Sequence, residues 1–250
     1  MKIVVMGEGP TDVGCKDYYQ TGFREGPVCV LLRRMLGNNP FEIIFKEKAD
    51  RKKNDKKRGK INHRQRSLSH LKGQGIFSYW AKEQAIEEGA DAVLFYSDSD
   101  REGGKDCREY KVCKKRFDEV KEGIEGGFLA CKGKSKIYTM AVVAVKMIES
   151  WLMADPESFD KAFGKLKNRK ANQIFPKNPE LEWGAKTDPQ SNYPKNQIKR
   201  ILSLYQQESN REVFQKLAEE ADINVIKEKC PISFEDFYMQ IEGLKNKPDS

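Results

Sequence analysis

Short apolar segments that alternate with amphipathic ones constrain the fold of this chain most strongly. The apolar segments predict strands over 2–6, 41–45, 91–98 and 135–145. Helical periodicity lies between them, most clearly over 26–36 and 77–90. This alternation predicts an α/β fold, in which helices flank a mostly parallel sheet with right-handed crossovers. Because residues 135–145 form a nearly continuous apolar run, we expect that strand to be central in the sheet.

The character of the sequence changes near residue 155. Before that point a charged helix is predicted over 106–123, and a further helix starts just after the fourth strand. Beyond it, prolines interrupt the chain, and four helices are predicted over 156–166, 194–206, 211–221 and 233–244. We therefore expect residues 1–155 to form the sheet-containing domain. Residues 156–250 form a helical extension that packs on or beside it.

Charge and hydropathy argue against a membrane-spanning protein and favour a polyanionic partner. The chain has 250 residues, of which 34% are charged and 38% hydrophobic. No apolar run approaches the roughly 20 residues that a membrane-spanning helix needs. The first residues are expected to form a strand rather than a signal peptide, which indicates the cytoplasm. The net charge of +8 favours a polyanionic partner such as nucleic acid, although many soluble proteins are mildly basic.

Other residue types give weaker signals. The six cysteines show no CxxC pair, so we expect them to be reduced and mostly structural, with zinc disfavoured. The two histidines, His63 and His70, lie in a polar stretch and give little support for a catalytic triad. The basic segment 51–66 is either a solvated loop or a contact for phosphates. Trp80 and Trp151 lie on helical apolar faces.

Trp183 differs from the other two tryptophans because it lies in a proline-rich loop, where a contact with a partner is the more natural role. The phosphate-binding pattern GxxxxGK[ST] is absent from the sequence, so any ATPase activity has to come from another chain.

Two acidic clusters follow apolar strands directly. Glu8 and Asp12 lie in GEGPTD after the first strand, and Asp98 and Asp100 lie in YSDSD after the third. Residues that end parallel strands lie at the carboxyl edge of the sheet, where α/β folds bind ligands. Carboxylates that converge there repel one another unless a cation neutralises them. Oxygen ligands of this kind suit Mg²⁺ or Mn²⁺.

The order of these motifs resembles the TOPRIM domain, a Rossmann-like fold that topoisomerases, bacterial primases and several nucleases share. The resemblance rests on a Glu after the first strand and a DxD pair after the third. The spacing of Glu8 and Asp12 is typical of the nuclease branch. IESWLMAD adds Glu149 and Asp155, and NYPKNQIKRIL adds Lys195. With LKGQG and CPISFEDF, the chain resembles a family of little-characterised bacterial TOPRIM proteins, similar to the nuclease domain of OLD (overcoming lysogenisation defect) proteins.

The resemblance implies a metal-dependent nuclease that cleaves phosphodiester bonds in DNA or RNA with two Mg²⁺ or Mn²⁺ ions. Members of the family are often encoded beside an ABC-type ATPase and act in defence against phage. Glu8 and Asp12 would hold one ion. Asp98, Asp100 and Glu149 would hold or bridge the other. Lys195 would stabilise negative charge on the phosphate during cleavage, and the oligomeric state is open, a homo-oligomer included.

Each of these roles has an alternative. Glu8 is either a metal ligand or a general acid and base. Asp12 and Asp155 are also suited to cap helices, and Glu149 to the first turn of a helix, where the helix dipole favours an acid. Lys195 is one of many lysines in the sequence.

The function has alternatives as well. The chain is otherwise a non-catalytic TOPRIM-like subunit that binds metal and docks a partner ATPase or nucleic acid. A nucleotidyl transferase of the primase type is less favoured, because no zinc-binding module is visible.

Overall fold

The computed structural model describes residues 1–16, 23–47, 68, 71, 73–99, 108–132, 136–166 and 174–247. Its strands are β1 (Lys2–Gly7), β2 (Gly14–Lys16), β3 (Phe23–Glu25), β4 (Glu42–Phe45), β5 (Ala92–Asp98) and β6 (Tyr138–Ala144). Four of them form a sheet in the order β4-β1-β5-β6, and all three pairings are parallel. The α/β class and the parallel sheet are thereby confirmed. The antiparallel pair β2–β3 was not predicted.

The prediction that the fourth strand is central is wrong. Within the described residues, β6 pairs only with β5 and lies at one edge of the sheet. Its apolar run has a different cause, because helices cover both of its faces. Gln240 also reaches the strand, where its Nε2 donates to the carbonyl of Ala141 at 3.0 Å. The edge strand is thus buried by its neighbours rather than by further strands.

Nine α-helices lie in the described ranges. They are α1 (Pro27–Leu36), α2 (Gly75–Glu87), α3 (Tyr110–Ala130), α4 (Ile148–Leu152), α5 (Pro156–Phe163), α6 (Pro194–Leu204), α7 (Arg211–Glu220), α8 (Ile223–Lys229) and α9 (Phe234–Lys245). A 3₁₀ turn covers Pro179–Leu181. The described helix α3 extends beyond Gly123, and α8 was not predicted, since a seven-residue helix with one buried side chain leaves little periodicity. None of these helices is long and apolar enough to cross a membrane.

Alternate residues of the central strands enter two separate cores. Ile3, Val5 and Leu94 pack on one face with α1 and the C-terminal helices. Val4 and Val93 pack on the other face with α2 and α3. Strand side chains alternate between faces, so a strand buried on both sides is apolar at every position. The sheet is therefore the middle of three layers.

The C-terminal helices share a core with the sheet. Phe237 and Ile241 of α9 belong to the same buried cluster as Met140 and Val142 of β6. The predicted role of Asp155 as a helix cap is confirmed, because its side chain accepts a hydrogen bond from the amide of Glu157 at 3.0 Å at the start of α5. Its other carboxylate oxygen accepts from the amide of Asp222 at 2.8 Å. The cap thus also joins α5 to the start of α8.

Several predictions concern residues outside the described ranges. These are the basic segment 51–66, His63, His70 and Asp100. The core positions of Trp80 and Trp151 are confirmed, with exposed fractions of 7% and 0%. The cysteines that the structure describes are free thiols, as expected.

Candidate functional site

The register of the sheet brings the ends of three strands together. Gly7 of β1 is opposite Tyr96 of β5, and Asp98 of β5 is opposite Ala144 of β6. The strands are parallel, so the segments that follow them leave from the same edge of the sheet. Glu8, Asp98 and the β6–α4 connection therefore start from neighbouring positions.

Glu8 is held by hydrogen bonds on both carboxylate oxygens. Oε2 accepts from the hydroxyl of Ser97 at 2.8 Å and from the amide of Asp98 at 3.3 Å. Oε1 accepts from the side-chain amide of Gln74, the residue that precedes α2. These donors come from segments far from Glu8 in sequence. They fix the orientation of the carboxylate and leave it partly exposed.

Asp98 is paired with a buried tyrosine of the same strand. The hydroxyl of Tyr96 donates to Oδ1 of Asp98 at 2.5 Å. Burial raises the pKa of Tyr96 well above 10.0, and the nearby carboxylates of Asp98 and Asp12 raise it further. The hydroxyl therefore keeps its proton at every physiological pH, and it remains a hydrogen-bond donor to Asp98.

Asp12 lies in the turn between β1 and β2. The alternative role as a helix cap is wrong, because residues 10–13 form turns and the next element is β2. Gly9, with φ of +73°, leaves the space that the carboxylate needs, since a Cβ on Gly9 would lie 2.7 Å from Oδ2 of Asp12. The backbone carbonyl of Asp12 also accepts from the amide of Val28 at 3.0 Å. Helix α1 thus anchors the turn that carries this carboxylate.

Glu149 is both a first-turn residue and a buried acid. It lies in the first turn of α4 and is 4% exposed. Its carboxylate acts on two groups of the site, raising the pKa of Tyr96 and of Lys195. The predicted first-turn position of Glu149 is therefore confirmed, and its role as a metal ligand stays a prediction.

Lys195 supplies positive charge among these acids. It follows Pro194 at the start of α6, as the sequence predicts. Burial lowers the pKa of its ammonium group, but the carboxylates of Glu149, Asp98 and Asp12 outweigh this effect and raise the pKa above its ordinary value of 10.5. The ammonium group is therefore charged at physiological pH and close to three acids from separate segments.

The donor chemistry of this cluster suits Mg²⁺ or Mn²⁺, because it consists of carboxylate oxygens. The arrangement fits such an ion only in part. In the portion of the chain that the structure describes, no three acidic, cysteine or histidine side chains are grouped closely enough to hold a metal ion. Asp100, a predicted ligand, is not in that portion. Asp12, Asp98 and Glu149 act together on Lys195, and Glu8 contacts Asp98, but the described residues do not form a complete metal site.

Four polar residues of the site were not predicted from the sequence. Gln74 and Ser97 bond to Glu8, Tyr96 bonds to Asp98, and Lys146 lies just after β6 with 5% exposure. Gln74 is part of the LKGQG segment, and Ser97 is next to Asp98, so both were near a recognised motif. Tyr96 and Lys146 look like core and surface residues in the sequence, and neither carries a signal of its own.

Comparison of this chain with models of protein families, with curated proteins and with solved structures found no match. The function of the site therefore has to be inferred from its own residues.

Proposed function

We propose that this chain is a divalent-metal-dependent nuclease with a TOPRIM-like fold. The observation that supports this proposal best is the convergence of Asp12, Asp98 and Glu149 on Lys195 at the carboxyl edge of a parallel sheet. Three acids from separate segments are costly to bring together without a function that uses them. A phosphodiester needs both negative ligands for a cation and a positive group for its own oxygens.

The residues divide into two groups by their part in this reaction. Glu8, Asp12, Asp98, Asp100 and Glu149 would hold the ions, which supply charge neutralisation and an activated water. Outside that group, Lys195 would supply a positive charge to the oxygens of the phosphate. Tyr96 and Gln74 hold Asp98 and Glu8 in fixed orientations through the hydrogen bonds described above.

The nucleic-acid partner is proposed from the charge of the chain, and the ATPase partner from the family resemblance. The substrate is DNA or RNA, which the net charge of +8 favours. An ABC-type ATPase encoded nearby would act with the chain in defence against phage, in the cytoplasm. Because the sequence has no phosphate-binding GxxxxGK[ST] pattern, ATPase activity would come from that other chain.

One observation favours a second function. The positive charge of Lys195 lies among the acids and offsets part of their negative charge. A non-catalytic TOPRIM-like subunit, which binds metal and docks a partner ATPase or nucleic acid, would need no more than such a balanced cluster. The two functions differ in whether the purified chain, alone or with its ATPase, cleaves phosphodiester bonds.

Cleavage of labelled DNA and RNA in Mg²⁺ or Mn²⁺ tests the proposal. Asp98→Asn removes a charge from the site while the shape of the side chain is kept. We expect it to abolish cleavage, since the remaining acids no longer balance a divalent ion. Asp91→Asn is the matched control. Asp91 lies just before β5, at the end of the strand opposite Asp98, and its carboxylate accepts from the amide of Lys2 at 2.7 Å.

The result decides between the two functions. Cleavage that Asp98→Asn abolishes and Asp91→Asn leaves intact supports the nuclease. Equal cleavage by the parent and Asp98→Asn assigns the activity to another site. A chain that binds Mn²⁺ in calorimetry but cleaves nothing, even with its ATPase, is the non-catalytic subunit.

A further inference from the structure

The connection from β6 to α4 contains a strained turn at Lys146. The residue has φ of +65°, and the amide of Met147 donates to the carbonyl of Val145 at 3.0 Å across it. A three-residue turn with a positive central φ is rare for a residue with a side chain. Ser99 clamps the turn, because its hydroxyl accepts from the amide of Lys146 at 3.0 Å and its own amide donates to Ala144 at 2.9 Å.

Strain of this kind persists only where the surroundings impose it, and it is concentrated at functional sites. Here the clamp belongs to Ser99, which lies between the two aspartates of the YSDSD motif. The turn therefore couples the position of Lys146 to the segment that carries Asp98.

The side chain of Lys146 is directed to Trp183, in the segment before α6. Its ammonium nitrogen lies 5.0 Å from the ring centroid of Trp183, and the residue is 5% exposed. Trp183 packs edge-on against Tyr193, with ring centroids 5.2 Å apart. Tyr193 precedes α6 and acts electrostatically on Lys195. A partly exposed indole thus lies against the ammonium group of Lys146 and the ring of Tyr193, the residue that precedes Pro194 and Lys195.

A third positive group is attached to the same loop. The guanidinium group of Arg108, an exposed residue, donates to the backbone carbonyl of Trp183 at 3.0 Å. Aromatic rings beside positive side chains are how proteins bind single-stranded nucleic acid, because bases stack on the ring and phosphates meet the charges. A paired base inside a duplex has no free face for such a ring.

We propose that Trp183 and Lys146 form a subsite for an unpaired nucleotide of single-stranded nucleic acid, beside the acidic cluster. This proposal rests on the proposed function, since it names the form of nucleic acid that reaches the acids. The base stacks on the exposed part of Trp183, the buried ammonium group of Lys146 holds the ring from its covered side, and the exposed Arg108 meets the phosphates. A purely structural tryptophan, which only closes the loop, would leave binding unchanged when it is replaced by another residue that keeps the fold.

Binding without cleavage tests the subsite independently of the nuclease. Labelled oligothymidylate and a duplex of equal length are titrated with the full chain in EDTA, and the anisotropy of the label is measured. We expect Trp183→Ala to weaken binding of the single strand about tenfold, and Trp183→Phe to retain most of it, since phenylalanine also stacks. The duplex should be affected much less.

Lys146→Gly provides a second, independent variant. Glycine accepts a positive φ without strain, so the variant removes the charge and keeps the turn. Gln206→Gly is the matched control. Gln206 also has a positive φ, +57°, but it is exposed and lies after the C-terminal end of α6, whereas Tyr193 lies before its N-terminal end. We expect weaker binding of the single strand for Lys146→Gly and none of this loss for Gln206→Gly.

The subsite proposal is overturned if Trp183→Ala, folded by circular dichroism, binds oligothymidylate like the parent. It is also overturned if the variant loses single strand and duplex equally. Because the assay contains no divalent metal, an absence of cleavage in the earlier experiment does not alter either result.

Discussion

At the scale of single residues, the pair Tyr96 and Asp98 shows how the site is built. The two residues are on the same strand, two positions apart, so their side chains leave the same face. The tyrosine is fully buried, and the aspartate lies at the edge of the sheet. A hydrogen bond to a charged acceptor is worth about 1.5–3 kcal/mol, which is enough to select one orientation of the carboxylate.

Tyr96→Phe should lower nuclease activity while the protein stays folded. The ring still fills its place in the core, but Oδ1 of Asp98 loses its donor and the carboxylate turns more freely. We expect a fall in the initial rate of cleavage and a higher concentration of divalent metal at half-maximal rate. Both are measured from rates over a series of Mg²⁺ concentrations.

Tyr138→Phe is the matched control for that variant. The hydroxyl of Tyr138 donates to the carbonyl of Gln240 at 2.9 Å, at the start of β6 and away from the acids. Each variant loses one hydroxyl and its hydrogen bond, and we expect the larger fall in the free energy of unfolding for Tyr96→Phe, because its acceptor is charged. A Tyr96→Phe variant as active as Tyr138→Phe at every metal concentration would show that the hydroxyl has no part in the site.

At the scale of elements, the crossing of α2 and α3 places Gln74 against Glu8. Gly75 and Gly127 allow the two helices to touch, since a Cβ on Gly127 would lie 2.0 Å from the carbonyl oxygen of Gly75. The hydroxyl of Ser78 donates to the carbonyl of Ile124 at 2.7 Å across the same crossing. Glycine is therefore required at this contact for steric reasons.

Gly127→Ala should destabilise the protein by about 1–3 kcal/mol, because the added methyl group has no space. Gly126→Ala is the neighbouring control, where a Cβ meets no atom within 4 Å. That variant should stabilise the helix by about 0.5–1 kcal/mol. Urea denaturation measures both free energies of unfolding. Equal changes in the two variants would contradict the close crossing.

At the scale of the whole molecule, Glu180 connects the C-terminal region to the helix that carries Glu149. Its buried carboxylate accepts from the amides of Ile232 and Ser233 at 2.9 and 2.8 Å, just before α9. The hydroxyl of Ser233 in turn accepts from Nε1 of Trp151 at 2.7 Å. Burial raises the pKa of Glu180 above 4.5, and the hydrogen bonds from Ser233 and Ile232 oppose this rise.

A pH-dependent contribution to stability follows from that raised pKa. The folded protein binds the proton of Glu180 more tightly than the unfolded chain does, so the contribution of Glu180 falls as pH rises from 4.5 through the pKa of the folded state. Glu180→Gln cannot titrate. We expect the free energy of unfolding of the parent, minus that of Glu180→Gln, to decrease over this range in urea denaturation.

Glu182→Gln is the control, two residues away and partly exposed, where the carboxylate accepts from the side chain of Asn192 at 2.8 Å. If the difference between the parent and Glu180→Gln does not change with pH, the carboxylate of Glu180 is not titrating as its burial requires.

Local patterns were sufficient to predict the strands, most of the helices and the acids that end β1 and β5. The end of a strand can be recognised from the residues next to it, and parallel strands end at the same edge of a sheet. Glu8 and Asp98 could therefore be placed at one edge from the sequence. Tyr96 could not be placed in the site, because an aromatic residue in a strand usually packs in the core. Lys146 was missed because its positive φ results from the clamp by Ser99.

The sequence by itself thus determined the α/β class, the positions of β1 and β5 and the acidic character of their ends, since these follow from contacts between near neighbours. Only the tertiary structure decided that β6 is an edge strand and that Asp12 precedes a strand rather than a helix. It also decided that Lys195 meets the acids. These features depend on contacts between residues far apart in the chain. Such contacts form only when the helices pack on the sheet.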